Sequence, residues 1–307
     1  MSPISLQGLS IGYLAQPGLS RTAHYAVHSS FRHALNLVAE TTEAGGWLTL
    51  VDAACENLPS GARVSVPPHW DWRAHARQGD RIAVQGAQLR GAGWQVDLAG
   101  AACWRPITQR GNGGRPSARA LSVRYALAAQ RLRAHCAQHV VDGALQWLPG
   151  WPAHARAVKL STLDDAATLA GAVRALVGFG GGLTPDGDDY LLGYLAALWR
   201  AHGQPEIESH RHALSAILRA QLHRTNDISR HYLQLALDGH FSEPVDRFLS
   251  ITSSAEPGAD FVDAADAVMS WGAASGVDCL AGILHGMRAW QEVFHMRDAK
   301  TSIRQCA

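Results

Sequence analysis

A nine-residue pattern occurs twice in the second half of this 307-residue chain, with five identities and no gap. Gly187-Asp-Asp-Tyr-Leu-Leu-Gly-Tyr-Leu195 and Gly276-Val-Asp-Cys-Leu-Ala-Gly-Ile-Leu284 both have the form G-x-D-x-L-x-G-x-L. Residues four apart lie on one face of a helix, so each aspartate lies one turn from the second glycine. A glycine inside a helix costs about 1 kcal/mol relative to alanine and is best explained by a second backbone that comes close. The repeat therefore predicts two helices that cross at Gly193 and Gly282.

The aspartates of the repeat, Asp189 and Asp278, would each lie about 5.4 Å along the helix axis from this crossing. A steep or parallel crossing brings the two carboxylates together, whereas an antiparallel crossing separates them, and the sequence leaves the angle open. A shared pair could bind Mg²⁺, orient an amide, or act as a coupled acid and base. The alternative is that each aspartate only complements the positive end of its helix. With the neighbouring Asp188, they are the candidate catalytic residues, and Asp189 and Asp278 are also candidate Mg²⁺ ligands.

The segment that leads into the first copy, residues 178–186, is rich in glycine. Capping explains part of it, because glycines can end one helix while Thr184 caps the next and Pro185 takes its first position. The remaining glycines predict backbone amides that bind an anion, such as a phosphate or carboxylate, at a helix N-terminus. The segment matches neither a P-loop nor a dinucleotide fingerprint. Its acidic residues would repel a bare phosphate unless Mg²⁺, an amide or an amine faces them.

A third polar segment, between the two copies, begins another predicted helix at residues 224–232. Thr225 is the predicted N-cap, and the side chains beside it could contact a polar ligand, although capping alone explains the segment equally well. The complete set of predicted ligand-binding residues is Gly180, Gly181, Gly182, Leu183, Thr184, Gly187, Thr225, Asn226, Ser229, Ser275 and Gly276.

The first 110 residues predict a β-rich domain. Strands are indicated at residues 47–51, at residues 63–66, and in a hairpin over residues 82–98 that turns at residues 91–93. One helix is predicted over residues 30–39, where apolar residues recur at helical spacing.

The pattern changes at residues 110–116, which combine three glycines with a proline. Apolar residues then recur with a period of about 3.6, which predicts a helical domain over residues 117–297 and a tail over residues 298–307. The predicted helices begin at residue 117 and continue at 163–177, 186–202, 207–223, 226–238, 245–251, 261–271 and 277–294. The sequence therefore predicts the α+β class, with a small β-rich N-terminal domain and a mostly α-helical C-terminal domain.

The composition excludes several classes of protein. The formal net charge is +1, so no overall charge attracts the chain to nucleic acid or to an anionic membrane. We find no apolar stretch of about 18 residues and no signal-peptide pattern. The five scattered cysteines form no C-x-x-C pair, which argues against a disulfide framework or a zinc site. We therefore expect a cytoplasmic protein that binds neither membranes nor nucleic acid.

The motifs together resemble the AllH-type family, long catalogued as uncharacterised carboxylases. The resemblance rests on G-x-G-G-G-L-T-P-D-G-D-D-Y-L-L-G, on R-T-N-D-I-S-R-H-Y-L with A-L-D-G-H and Glu243, on G-A-A-S-G-V-D-C-L-A-G, and on the N-terminal V-H-S-S-F-R-H-A-L-N-L. The family commonly has serine where this chain has Asp186, so we assign that side chain no role.

This resemblance implies a subunit of oxamate carbamoyltransferase, a multi-subunit activity of anaerobic allantoin degradation and purine catabolism. The enzyme exchanges a carbamoyl group between oxalurate and phosphate, which gives oxamate and carbamoyl phosphate. The expected partners are thus other subunits and a small anionic or amide metabolite. Two alternatives stay open at this point, namely a non-catalytic subunit that binds a metabolite or supports the complex, and a stand-alone Mg²⁺-dependent hydrolase.

Overall fold

The computed structural model of the protein describes residues 3–16, 23–40, 46–107, 118–139, 141, 160–201, 203–252 and 260–305, and for residues 291–305 it describes the backbone alone. The chain divides into two compact units. The first comprises Met1–Gln109 with Phe241–Glu243, and the second comprises Arg110–His240 with Pro244–Ala307. The first is a β-sheet unit and the second is helical, so the protein is of the α+β class, as predicted.

The first unit is a nine-stranded sheet that closes on itself. Its strands follow the order β5-β4-β3-β2-β6-β7-β8-β1-β9, and β1 also pairs with β5, antiparallel, which completes the closure. A short helix, α1 (Trp72–His75), precedes β6. The strands are β1 (Ile4–Gly12), β2 (Ala23–Ser30), β3 (Ala34–Ala39), β4 (Trp47–Asp52), β5 (Gly61–Ser65), β6 (Arg81–Gln85), β7 (Gln88–Gly91), β8 (Trp94–Asp97) and β9 (Ala102–Trp104).

The predicted helix over residues 30–39 is wrong, because this segment forms the end of β2, a turn and β3. Leu35 and Leu37 alternate with residues on the other face and are fully buried in the core of the sheet. Ala34 to Val38 pair with β4, and Leu35 also pairs with Ser30 of β2. A short apolar run fits both the helical period of about 3.6 residues and the strand period of two. Pairing with two neighbouring strands selects the strand. The predicted hairpin at residues 82–98 corresponds to β6, β7 and β8.

The second unit contains the predicted helices within a few residues of their expected limits. The last helix extends to Gln305, beyond its predicted end at residue 294. The predicted linker at residues 110–116 and the predicted helix start at Ser117 lie outside the described residues. The helices are α2 (Ala118–His139), α3 (Ala166–Leu176), α4 (Asp186–Arg200), α5 (Pro205–Gln221), α6 (Asp227–Leu237), α7 (Glu243–Thr252), α8 (Asp260–Met269) and α9 (Ser275–Gln305).

The core of the second unit lies around α4 and α9. Every residue of α4 from Gly187 to Leu198 is buried, and so is every residue of α9 from Val277 to Met287. A helix buried on all sides needs neighbours on all sides, and α2, α3, α5, α6 and α8 supply them. Within the described part of the chain, no helix is long and apolar enough to cross a membrane.

Candidate functional site

The two helices that carry the repeated motif run side by side in the same direction. At their N-terminal ends, the hydroxyl oxygens of Thr184 and Ser275 are 2.7 Å apart and share a hydrogen bond. Further along, Trp290 Nε1 of α9 donates to the backbone oxygen of Ala197 on α4 at 3.1 Å. Residue numbers therefore increase together along both helices. The parallel arrangement is the one that brings the two N-termini, and the aspartates near them, to the same end.

The predicted close approach at the motif glycines is present. A Cβ atom added to Gly193 would lie 1.9 Å from the backbone oxygen of Cys279. A Cβ atom on Gly282 would lie 2.0 Å from the backbone oxygen of Tyr190. Since no side chain fits at such distances, only glycine at both positions allows the two backbones to touch. Each glycine faces the residue that follows the motif aspartate of the other copy, so the contact is reciprocal.

The turns before α4 and α9 also match each other. Phe179 N donates to Leu176 O at 2.9 Å, and Trp271 N donates to Val268 O at 3.3 Å. The carbonyl of each aromatic residue then accepts from the first motif glycine, Gly187 or Gly276, at 2.9 Å in both copies. The motif is thus part of a longer structural repeat, in which a helix, a turn and a second helix occur twice.

Asp189 lies at the meeting point of the two N-termini. The residue is 3% exposed, and its Oδ2 atom has no hydrogen-bond partner among the described residues. Burial raises the pKa of this carboxyl to about 7, although hydrogen bonds from the hydroxyls of Thr184 and Ser275 lower it in part. Burying a carboxylate oxygen without a hydrogen-bond donor costs free energy. A ligand that supplies an N–H or O–H group to this oxygen would remove that cost.

Asp278 occupies the corresponding position in the second copy and is 1% exposed. The thiol of the next residue, Cys279, is affected by the charges of both aspartates. Burial raises the pKa of that thiol well above its usual value, and the negative charges of Asp189 and Asp278 add to the effect. Both aspartates therefore lie near one buried sulfur atom at the N-terminal end of the helix pair.

Asp188 has a different environment from the other two candidate catalytic residues. Its Oδ1 accepts from Gly178 N at 2.9 Å, and its Oδ2 accepts from the hydroxyl of Thr225. Burial raises the pKa of Asp188, whereas hydrogen bonds from Thr225, Gly178 and Ser229 lower it. These contacts connect the glycine-rich loop, α4 and the start of α6. Both oxygens of Asp188 therefore already accept hydrogen bonds from the protein.

The glycine-rich loop lies on the surface beside these residues. Gly180, Gly181, Gly182 and Leu183 are exposed. Gly180 has a φ of 104°, a conformation that other residues rarely adopt, and this turns the loop back towards Asp186. The backbone at this position is therefore open to solvent at the N-terminal end of α4.

The start of α6 differs from its prediction in one respect. Asn226, not Thr225, is the N-cap, since Asn226 Oδ1 accepts from Ser229 N at 3.0 Å. Thr225 is free of that role because its hydroxyl donates to Asp188. Asn226 Nδ2 also donates to Leu183 O at 2.9 Å, which fixes the glycine-rich loop against α6. The structure thus gathers the predicted residues of α4, α6 and α9 at one end of the helical unit.

Two buried tyrosine–histidine pairs were not predicted as a group. Tyr190 shares a hydrogen bond with His285 Nδ1, and the hydroxyl of Tyr194 lies 2.9 Å from His210 Nε2. The spacing of Tyr190 and Tyr194 indicates one helix face, but the sequence cannot say which histidines they meet. These pairs satisfy polar groups in the core directly behind the motif aspartates.

A further motif, absent from our sequence-based predictions, is Gly8-Leu-Ser-Ile-Gly12, which has the form G-x-S-x-G of a nucleophile elbow. That motif needs a sharp turn between a strand and a helix, but this segment lies within β1. Ser10 is buried, and its hydroxyl donates to Asn57 Oδ1 at 2.5 Å. The segment therefore has the structure of a strand and not of an elbow.

The candidate Mg²⁺ ligands do not form a complete protein site. Among the residues that the structure describes, no group of three or more His, Cys, Asp or Glu side chains is placed to hold a metal ion. Mg²⁺ is usually held by one or two carboxylates with water or substrate oxygens. Asp189 and Asp278 alone would leave most of its coordination to a ligand, so we derive no step through a metal ion.

Comparison with known proteins identifies the family. No solved structure matches the chain. The family model for oxamate carbamoyltransferase subunit AllH matches residues 176–287, which include both copies of the motif and the start of α6. The model for the AllH family N-terminal domain matches residues 7–103, the closed sheet. The resemblance predicted from the motifs is thus confirmed, and the chain belongs to the AllH family.

Proposed function

We propose that this chain is a subunit of a cytoplasmic carbamoyltransferase of allantoin and purine catabolism. Its reaction would be that of oxamate carbamoyltransferase, in which oxalurate and phosphate give oxamate and carbamoyl phosphate. The family name supports a subunit of such a system. The observation that carries the proposal is the buried Asp189 beside the hydroxyls of Thr184 and Ser275, where two parallel helices begin.

The reaction needs a site for anions. Oxalurate, oxamate and phosphate are all negatively charged, and N-termini of helices bind anions through backbone N–H groups and the helix dipole. Two N-termini that point the same way add their potentials. The exposed glycines 180–182 offer further backbone donors beside them. This end of the helical unit would therefore hold the carboxylate or phosphate groups.

The reaction also needs an acceptor for N–H groups. The carbamoyl group carries an NH₂, and the unpartnered Oδ2 of Asp189 would accept a hydrogen bond from it. Asp278, at the matching position on α9, would contribute its negative charge to the same polar surrounding. Asp188 would act indirectly and would not contact the ligand, because its contacts with Gly178 and Thr225 position the glycine-rich loop.

In the transfer itself, a phosphate oxygen forms a bond to the carbamoyl carbon of oxalurate. The bond from that carbon to the oxamate nitrogen breaks, and the nitrogen takes up the proton that the attacking phosphate loses. The protein would promote this step by orienting both reactants and by fixed dipoles that stabilise the developing charge. The proposal includes no covalent intermediate with the protein.

The test is an assay of phosphate-dependent oxalurate cleavage, with the chain alone and with its co-purifying partners. We expect Asp189→Asn and Asp278→Asn to lower kcat by roughly 100-fold in the complex, in line with the loss of one stabilising group in a preorganised site. Asp263→Asn, an exposed aspartate of α8, is the matched control and should leave kcat unchanged.

Each alternative predicts a different result. If both substitutions leave turnover at the wild-type level while the complex stays assembled, the aspartates have no part in the reaction. If the partner subunits cleave oxalurate at the full rate without this chain, the chain is a non-catalytic subunit. Hydrolysis by the chain alone that is abolished by EDTA would indicate a metal-dependent hydrolase.

A further inference from the structure

The first unit contains an aspartate–histidine pair that the proposed function does not use. His33 Nδ1 lies 2.7 Å from Asp52 Oδ2, across the turn between β2 and β3 and the end of β4. The histidine side chain is 57% exposed, whereas the aspartate side chain is only 9% exposed. A buried carboxylate thus holds an imidazole that faces solvent.

The carboxylate of Asp52 is itself fixed on both oxygens. Trp72 Nε1, from the fully buried indole of α1, donates to Oδ1 at 3.2 Å. Asp52 N also donates to the backbone oxygen of His33 at 3.1 Å, which continues the pairing of β3 with β4. His33 is therefore held by one side-chain contact and one backbone contact to the same residue.

This geometry selects one form of the imidazole. Because an ionised carboxylate only accepts hydrogen bonds, Nδ1 of His33 must carry the hydrogen. In the neutral ring the lone pair is then on Nε2, at the exposed edge. A buried carboxylate that fixes the tautomer and balances the charge of an imidazolium is the arrangement that catalytic histidines use as proton acceptors.

The residue that precedes His33 in the chain is cationic. Arg32 is exposed, and its backbone oxygen accepts from Trp72 N at 3.4 Å, so it belongs to the same edge. The neighbouring Arg73 is bound to Asp71, which it contacts at 2.6 Å, and it holds the pKa of that carboxyl at about 2. Arg32 contributes to the same lowering from close by. Arg32 is thus available to bind a carboxylate or phosphate group.

We propose that His33 is the proton-transfer residue of a second small-molecule site, located on the first unit, in which Arg32 binds an anionic group of the ligand. The ligand class is a small carboxylate or phosphate that carries an O–H or N–H group. In the step, the ligand proton moves to Nε2 of His33, the electron pair of the broken bond stays on the ligand, and Asp52 balances the imidazolium. His33, Asp52 and Arg32 all belong to the first unit.

The test measures the reactivity of individual histidines in the full chain. Diethyl pyrocarbonate acylates the unprotonated ring nitrogen of histidine, and mass spectrometry of peptides gives a rate for each one. We expect His33 to react several-fold faster than His24, an exposed histidine on β2. Asp52→Asn should remove this difference, and inorganic phosphate or oxamate should slow the reaction at His33 but not at His24.

Two more variants keep the result decisive if Asp52→Asn does not fold. Arg32→Gln should leave the rate at His33 close to that of the wild type but abolish protection by the anions. His33→Gln should weaken binding of oxamate or phosphate at this site in calorimetry, with both compounds tested to show which anion is preferred. Equal rates at His33 and His24 would overturn the role of Asp52, and the absence of protection by either anion would overturn the ligand class.

Discussion

The two halves of the candidate site are copies of one helix–turn–helix unit, and they differ in the length of the turn. In the first copy, α3 leads to α4 with seven residues between Phe179 and Gly187. In the second, α8 leads to α9 with four residues between Trp271 and Gly276. The backbone hydrogen bonds on either side of the difference are the same in both copies. The hydrogen bonds that both copies share therefore fix the contact between the helices, and the three additional residues of the first turn are not needed for it.

The longer turn begins with the three glycines 180–182. They are exposed, and they lie at the end of the helix pair where Asp189 is buried. The copies also differ at the second motif position, where the first has Asp188 and the second has the fully buried Val277. The first copy thus has a longer loop and a carboxylate that holds the loop, while the second has the shorter turn. We infer that the first copy carries the ligand loop and the second completes the helix pair.

The largest expected effect is on the contact that both copies share. Gly193→Leu and Gly282→Leu should each cost more than about 5 kcal/mol, enough to unfold the helical unit, because the side chain would meet a backbone oxygen that cannot move without separating α4 from α9. Urea unfolding followed by far-UV circular dichroism measures this. The two substitutions should be equally severe if the contact is reciprocal.

The matched control is Gly171→Leu on α3. A Cβ atom there meets nothing within 4 Å, so this variant should be as stable as the wild type, or more stable by about 0.5 to 1 kcal/mol through helix propensity. A cooperative wild-type transition in either of the Gly193 or Gly282 variants would show that the helices are not in backbone contact.

The second expected effect concerns Asp189 and depends on pH. Folding raises the pKa of this carboxyl from 3.8 to about 7, so the native state binds its proton more tightly than the unfolded state does. Between these two values stability falls as pH rises, by about 1.4 kcal/mol per pH unit, to a total on the order of 4 kcal/mol. Asp189→Asn removes the ionisation, and its stability relative to the wild type should increase from pH 4 to pH 7.

Urea unfolding of both proteins at pH 5, 6, 7 and 8 checks this slope. Gly171→Leu, which changes no ionisable group, serves as the control and should show a constant difference from the wild type. A difference between wild type and Asp189→Asn that does not vary with pH would show that Asp189 ionises in the folded protein as it does in the unfolded chain.

Much of the helical unit follows from local sequence. Glycines in the middle of apolar helices predict a close approach, and Gly193 and Gly282 make it. Whether α4 and α9 are parallel or antiparallel depends on how α3, α5, α6 and α8 surround the pair. The nine-residue motif therefore contains no information on their relative direction. The N-cap was misplaced by one residue because both Thr225 and Asn226 are good caps. The competing bond from Thr225 to Asp188, 37 residues away, decides between them.

The sheet of the first unit was less predictable. The strands β1 and β2 were not predicted, and β3 was predicted as a helix. The segment from residue 30 to residue 39 contains Leu35 and Leu37 at alternate positions, but its other apolar residues also fit a helix. Pairing of β3 with both β2 and β4 selects the strand, and such long-range contacts cannot be read from one short segment. His33 and Asp52 meet only because of that pairing.

A third prediction compares the contact that the first glycine of each motif makes with the helix before it, α3 or α8. A Cβ atom at Gly187 would lie 2.1 Å from Leu176 O, and one at Gly276 would lie 2.0 Å from Val268 O. Gly187→Ala and Gly276→Ala should therefore each lower the free energy of unfolding by about 2 kcal/mol. Gly181→Ala, where a Cβ atom meets nothing within 4 Å, is the control. Losses that differ by more than about 1 kcal/mol would mean that the two turns are not equivalent.

The smallest expected effect is specific to the first copy. Thr225→Val removes the hydroxyl that donates to Asp188 but keeps the volume of the side chain, and it should cost roughly 1 to 2 kcal/mol. Asp188 retains the bond from Gly178 N at 2.9 Å, so α4 should stay in place while the glycine-rich loop loosens. Amide hydrogen exchange should then accelerate at Gly178 and remain unchanged at Gly276, whose copy has no counterpart of Asp188. Thr225→Ser keeps the hydroxyl and should leave exchange at Gly178 close to that of the wild type. Faster exchange at both glycines would mean that the two turns open together, in which case the longer loop could not move to admit a ligand without loosening the helix pair.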